Sequence, residues 1–181
     1  MIAPVRPVDD RGGMDYLGPE FLTWLWWRAD TNPRFVHEDG TELFVHFDEH
    51  LEFRGERSAA RRTILRTGMP GASAEARAAL RSGKTLVAAR VLMARGEDEV
   101  RFTLRAEDLD CSGVKLPAPE GDTPLERLEA CLEHQDHFVD DLDLCLATFL
   151  NVRLGDTWGG EVESIRTWGA RPSQDELYVS A

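Results

Sequence analysis

The sequence has no apolar run that approaches the ~20 residues needed to cross a bilayer. Nor does its first stretch, Met1 to Gly13, hold the apolar centre of a signal peptide. Both absences argue against a membrane, and a cytoplasmic location is expected. Cysteine is scarce. Three residues, Cys111, Cys131 and Cys145, are too few and too scattered for a disulfide framework. Cys131 and Cys145 lie two heptads apart on one predicted helix, roughly 21 Å at the helical rise, and so cannot bridge within it. All three are read as reduced. Internal repeats and low-complexity tracts are absent. So is a nucleophile elbow of the Gly-x-Ser-x-Gly type, and no cysteine is read as paired with a histidine for nucleophilic chemistry. Ser82-Gly83-Lys84-Thr85 resembles the end of a phosphate-binding loop, but the upstream glycine is missing and a helix stands where a strand is needed. Gly83 is better explained as the stop of that helix.

What is present is charge. The chain has 181 residues, 33 of them acidic and 21 basic, for a formal net charge of −12. A phosphate backbone is repelled by that average field. The charge is uneven, however. Basic residues crowd the stretch from Arg54 to Arg105, and acids dominate from Glu120 to Asp156. Two readings are open: the two halves neutralise one another, or the basic middle forms a local anion-binding face.

The patterning predicts one α+β domain. Residues 1–15 read as a flexible lead-in, 16–154 as the domain, and 155–181 as a partly ordered tail. A helix starts near Pro19 and ends at Asn32-Pro33. Leu43 to Phe53 alternates and looks like a β-hairpin turning at Asp48-Glu49-His50. A strand follows over about 61–67. Pro70-Gly71 closes it, and a short helix capped near Ser73 stops at Gly83. Lys84–Ala94 and Glu99–Ala106 form the clearest hairpin, turning at Gly96. Leu109–Leu116 is extended. Thr123-Pro124 opens a long helix, with Glu126 at the capping-box position. Its Leu125, Leu128, Leu132, Gln135, Val139, Leu142, Leu146 and Phe149 recur at 3-4 spacing. The expectation is an antiparallel sheet of about five strands, packed by a Trp-rich N-terminal helix and a long C-terminal amphipathic helix.

Three of the five tryptophans fall in four positions, Trp24, Trp26 and Trp27. They cannot all face one way on a helix. Core packing, an interface with a protein partner or a second copy, and stacking on bases are all open. Leu17 to Asp30, Ala74 to Lys84, Phe102-Thr103-Leu104 and Val114-Lys115-Leu116-Pro117 together resemble the C-terminal region of recombination-associated RdgC proteins, in their longer deltaproteobacterial-type forms. That resemblance implies a non-enzymatic role in DNA recombination or nucleoid processes, with binding of double-stranded DNA irrespective of sequence. It assigns no DNA-contacting position here.

Four groups of residues are candidates for chemistry. Arg62 and Arg66 share one face of a strand, as do Arg101 and Arg105; on neighbouring strands the four would make a basic stripe for phosphates. His134, His137 and Asp141 lie at helical spacing and suggest a metal site, but a four-ligand set is not evident. Asp48, Glu49, His50 and Glu52, near His37 and His46, are the carboxylate cluster a metal-dependent nuclease would need. The tryptophans are the interface candidate. No catalytic residue and no cofactor is assigned. An acidic protein–protein module is the other alternative.

Overall fold

The computed structural model describes residues 17–55, 62–66 and 74–170. The predicted lead-in, the Pro70-Gly71 turn, the Ser73 cap and the last eleven residues lie outside the described residues. The elements run α1 (Pro19–Thr31), β1 (Arg34–Val36), β2 (Glu42–Arg54), β3 (Arg62–Arg66), α2 (Ala74–Arg81), β4 (Thr85–Arg95), β5 (Asp98–Arg105), β6 (Cys111–Lys115), α3 (Pro124–Leu154) and α4 (Trp158–Ala170). The six strands form one antiparallel sheet in the order β1-β2-β4-β5-β6, with β3 also paired to β2. None of the described helices is long and apolar enough to cross a membrane.

The α+β expectation holds, with two corrections. The first concerns β2. Leu43 to Phe53 is not a hairpin but part of one strand of 13 residues, irregular between Phe47 and Leu51. Asp48-Glu49-His50 carries turn-forming residue types, yet β4 continues alongside on both sides of the irregularity. A bulge absorbs the polar residues without reversing the chain.

The second concerns the expected tail. Residues 158–170 form α4, and Trp168 is buried. Trp158, Val162, Ile165 and Trp168 recur at helical spacing. Gly159-Gly160, poor helix formers, obscure that period in the sequence. The domain core therefore extends past 154.

The helices share one face of the sheet because one side of the pleat is apolar. Phe35, Leu43, Val45, Leu51, Phe53, Leu86, Ala89, Val91, Met93, Val100, Phe102 and Leu104 are buried there. Pro19 in the first turn and Glu20 and Arg28 at the two ends suit α1 to its macrodipole. Its Phe21, Leu22, Trp24, Leu25 and Trp26 are all sealed in. A Cβ on Gly18 would fall 2.2 Å from the Ala106 carbonyl oxygen, so α1 begins jammed against the end of β5.

α4 is held across α1. Trp168 meets Trp26 edge-on at 4.7 Å, and its indole N–H donates to Asp30. Arg77 of α2 pairs with the same carboxylate at 3.1 Å and lies over the Trp168 ring. The Trp24 indole N–H donates to Glu161.

Candidate functional site

Strand pleating puts every second residue on the side of the sheet away from the helices. On this open face stand Arg34, Phe44, His46, Glu52, Arg54, Arg62, Ile64, Arg90, Leu92, Arg101, Thr103, Arg105 and Lys115, placed there by their pairing register and by the burial of their neighbours. Phe44 and Ile64 are exposed among the cations.

Several of these cations have acidic partners. Arg34 meets Glu42 at 2.5 Å. Arg62 is held by both oxygens of the buried Glu52 carboxylate, at 2.8 Å each. Arg101 reaches Glu99 at 3.2 Å, and Arg105 stands 4.0 Å from Asp110, all four exposed. Such exposed pairs hold their partners weakly. Arg54, Arg90 and Lys115 are exposed and have no acidic partner among the described residues.

The register places like charges side by side. Arg54 is directly opposite Arg62 on β2 and β3, and Arg101 directly opposite Lys115 on β5 and β6. Like charges in directly opposed positions destabilise a sheet. Arg90 lies between these pairs, near the middle of β4.

The expected stripe of four arginines is corrected in its layout. Arg62, Arg101 and Arg105 do share the open face, but β2 and β4 separate β3 from β5. At ~4.8 Å per strand step the two arginine sets are about 14 Å apart. The Arg66 backbone pairs with His50; its side chain lies outside the described residues. Sequence reasoning missed Arg54, Arg90 and Lys115. Their signal was alternation with buried neighbours, which became decisive only once the strand order was known.

The other candidates are resolved differently. His134, His137 and Asp141 do line one small cleft, with Met93, Arg95, Asp98, Val100 and Pro117. Asp141, however, is buried and engaged: its Oδ1 accepts from Arg95 and lies 2.7 Å from His37 Nε2. His134 turns toward Asp98 at 3.8 Å. No group of three or more His, Cys, Asp or Glu among the described residues is arranged to hold a metal ion. The proposed triad is therefore corrected to a polar clamp that fixes α3 to the ends of β1 and β4. Sequence reasoning could not pair Asp141 with a strand residue 46 positions away.

The carboxylate cluster is dispersed as well, because Glu52 is committed to Arg62 and His37 to Asp141. The Glu49 side chain lies outside the described residues. The tryptophan interface is also corrected. Trp24 and Trp26 are each 1 % exposed inside the chain's own core, and Trp27 packs against that core.

Neither the Cys111 nor the Cys145 thiol is activated. Burial and the nearby Asp110 charge push Cys111 up to about 11, and burial together with Asp141 pushes Cys145 higher still. No protein-family model, curated protein or solved structure matches this chain.

Proposed function

We propose that this protein binds nucleic acid without catalysis, through the helix-free face of its sheet. The like-charge pairs Arg54/Arg62 and Arg101/Lys115, with Arg90 between them, carry this reading. They hold cations together in a chain whose net charge is −12. A phosphate backbone laid across the sheet would relieve both repulsions, and guanidinium groups suit phosphate oxygens geometrically. Phe44 supplies an exposed ring on the same face, as strand-tracking surfaces commonly do. The RdgC-like resemblance points to the same ligand class and to a role in recombination or nucleoid processes.

On the open face Glu52 and Glu99 each hold one cation of a pair, Arg62 and Arg101, and leave Arg54, Lys115 and Arg90 for a ligand; the acids of the long helix stand elsewhere. Glu126, Glu129, Glu133, Asp136, Asp140 and Asp143 lie on α3, which packs on the other side of the sheet.

The test is fluorescence anisotropy of labelled duplex and single-stranded DNA at 50 and 200 mM salt (about a fourfold span, across which phosphate contacts are strongly weakened), with and without Mg²⁺. Salt-sensitive binding of DNA that stays intact is expected. Substituting Arg90, Arg105 and Lys115 together by Gln should weaken binding at least tenfold with far-UV circular dichroism unchanged. Failure to bind at the lower salt would overturn the proposal, as would cleavage.

A further inference from the structure

We infer that the first half of α3 docks a basic amphipathic helix of a partner protein. The inference is independent of nucleic-acid binding, because it concerns the other side of the molecule.

It starts from an apolar seam left uncovered. Leu125, Leu128, Leu132 and Val139 are 63, 56, 52 and 52 % exposed. With Gln135 they occupy the a and d positions of a strict heptad, the spacing by which one helix accepts another. The same seam continues into the core, where Phe149 is buried and Leu142 and Leu146 pack against the core cluster. α3 is 31 residues long, ~46 Å at the helical rise. Its second half rests on the domain; in its first half His134, His137 and Phe138 still touch the sheet on one flank, the seam faces away, and the turns before Cys131 extend beyond that support.

The overhanging first turns are held helical by their own end. The Thr123 hydroxyl accepts from the Glu126 N–H at 3.2 Å, the Glu126 carboxylate accepts from the Thr123 and Asp122 N–H groups at 3.0 and 2.8 Å, and Arg127 donates to the Gly121 carbonyl. A partner therefore meets a preformed helix and bears little ordering cost.

Charge selects the occupant. Glu129 and Asp136 border the seam and Glu126, Glu133 and Asp140 form the next row out, with Arg127 the one Lys or Arg from 124 to 139. A helix with Leu-type residues at a and d and Lys or Arg on its flanks would match both features.

A second copy fits poorly. A parallel copy would set the acidic flank of one helix against the flank holding Cys131 and Phe138 of the other, where Phe138 lies 5.0 Å from Phe102 and no cation meets those acids. The remaining arrangement is antiparallel about Leu132. It sets Glu129 of one copy against Asp136 of the other, like charges on the flank where pairing is decided.

The experiment uses the full chain and three synthetic helical peptides of three heptads. One has Leu at a and d with Lys and Arg on the flanks, one has the same seam with Glu flanks, and one has basic flanks with Gln at a and d. Sedimentation velocity should show a monomer at 50 mM salt, and anisotropy should show binding of the first peptide alone, weakened about tenfold at 300 mM. L128Q/L132Q should lose at least tenfold affinity with Tm unchanged, since both side chains are exposed. E129K/D136K should transfer preference to the Glu-flanked peptide. A stable dimer abolished by L132Q would overturn the inference in favour of a second copy. Equal binding of the Gln-seam peptide would reduce it to bulk charge attraction, and absence of binding by all three would refute it.

Discussion

Replacing Trp168 with Ala tests whether α4 belongs to the domain. The indole is 3 % exposed. A tryptophan of that burial hides ~150–250 Å², worth about 4–6 kcal/mol at 25 cal/mol/Å². Residual burial in the unfolded chain trims that to about 3–5 kcal/mol, the range seen for large aromatic truncations. The edge-on contact with Trp26 and the hydrogen bond to Asp30 disappear with it. Asp30 keeps its Arg77 partner, so no bare charge is left behind. With a urea m-value of about 2 kcal/mol/M, the midpoint should fall by ~1.5–2.5 M. Trp168→Phe keeps an aromatic ring and loses the N–H, so it should cost roughly a third of that. The assay is urea unfolding followed by far-UV circular dichroism, which does not depend on the tryptophan removed. A midpoint within about 0.3 M of the parent for Trp168→Ala, well below the loss worked from burial, would refute the packing of α4 described here.

Asp141→Ala strands Arg95 and His37 in a half-buried site and should cost about 3–5 kcal/mol in the same assay. Thr123→Ala removes the α3 cap and should cost ~1 kcal/mol of local stability, read as faster amide exchange over 124–130. Hydrogen bonds from the Thr123 and Asp122 N–H groups hold Glu126 below its ordinary 4.5. Because the folded value is the lower one, its capping contribution is complete above pH 4.5 and fades as pH falls through that lower value, which exchange measured between pH 6 and 3 would reveal. Maleimide labelling at pH 7.5 should leave Cys145 unmodified in the native state and modify Cys111 only slowly, both reacting fully in urea.

Much of the fold was legible because local chemistry agreed with it. Pro19, the Thr123/Glu126 box and Gly83 mark helix ends by their own backbone and capping properties. Val100, Phe102 and Leu104 announce a strand by alternation alone. Gly96 supplies the positive φ of a tight hairpin turn. The reading failed where long-range pairing overrode a local signal. Asp48-Glu49-His50 has the composition of a turn, yet β4 pairs on both sides of it. Gly159-Gly160 weakens a helix that Trp26 and Asp30 then stabilise from a distance.

The candidate sites divide along the same line. The sequence alone determined that arginines alternate with apolar residues, that acids concentrate on one long helix, and that this helix carries a heptad seam. Only the tertiary structure decided which of these features meets solvent. Strand order set Arg62 and Arg101 apart while bringing Arg54 beside Arg62 and Lys115 beside Arg101. Packing of Trp24 and Trp26 against α4 and the sheet removed them from any surface. Asp141 went to Arg95 instead of to its helical neighbours. Periodicity is a property of a few consecutive residues, so one chain displays it. Adjacency between strands and the cover over a helix depend on contacts between distant residues, and those exist only after the chain has folded.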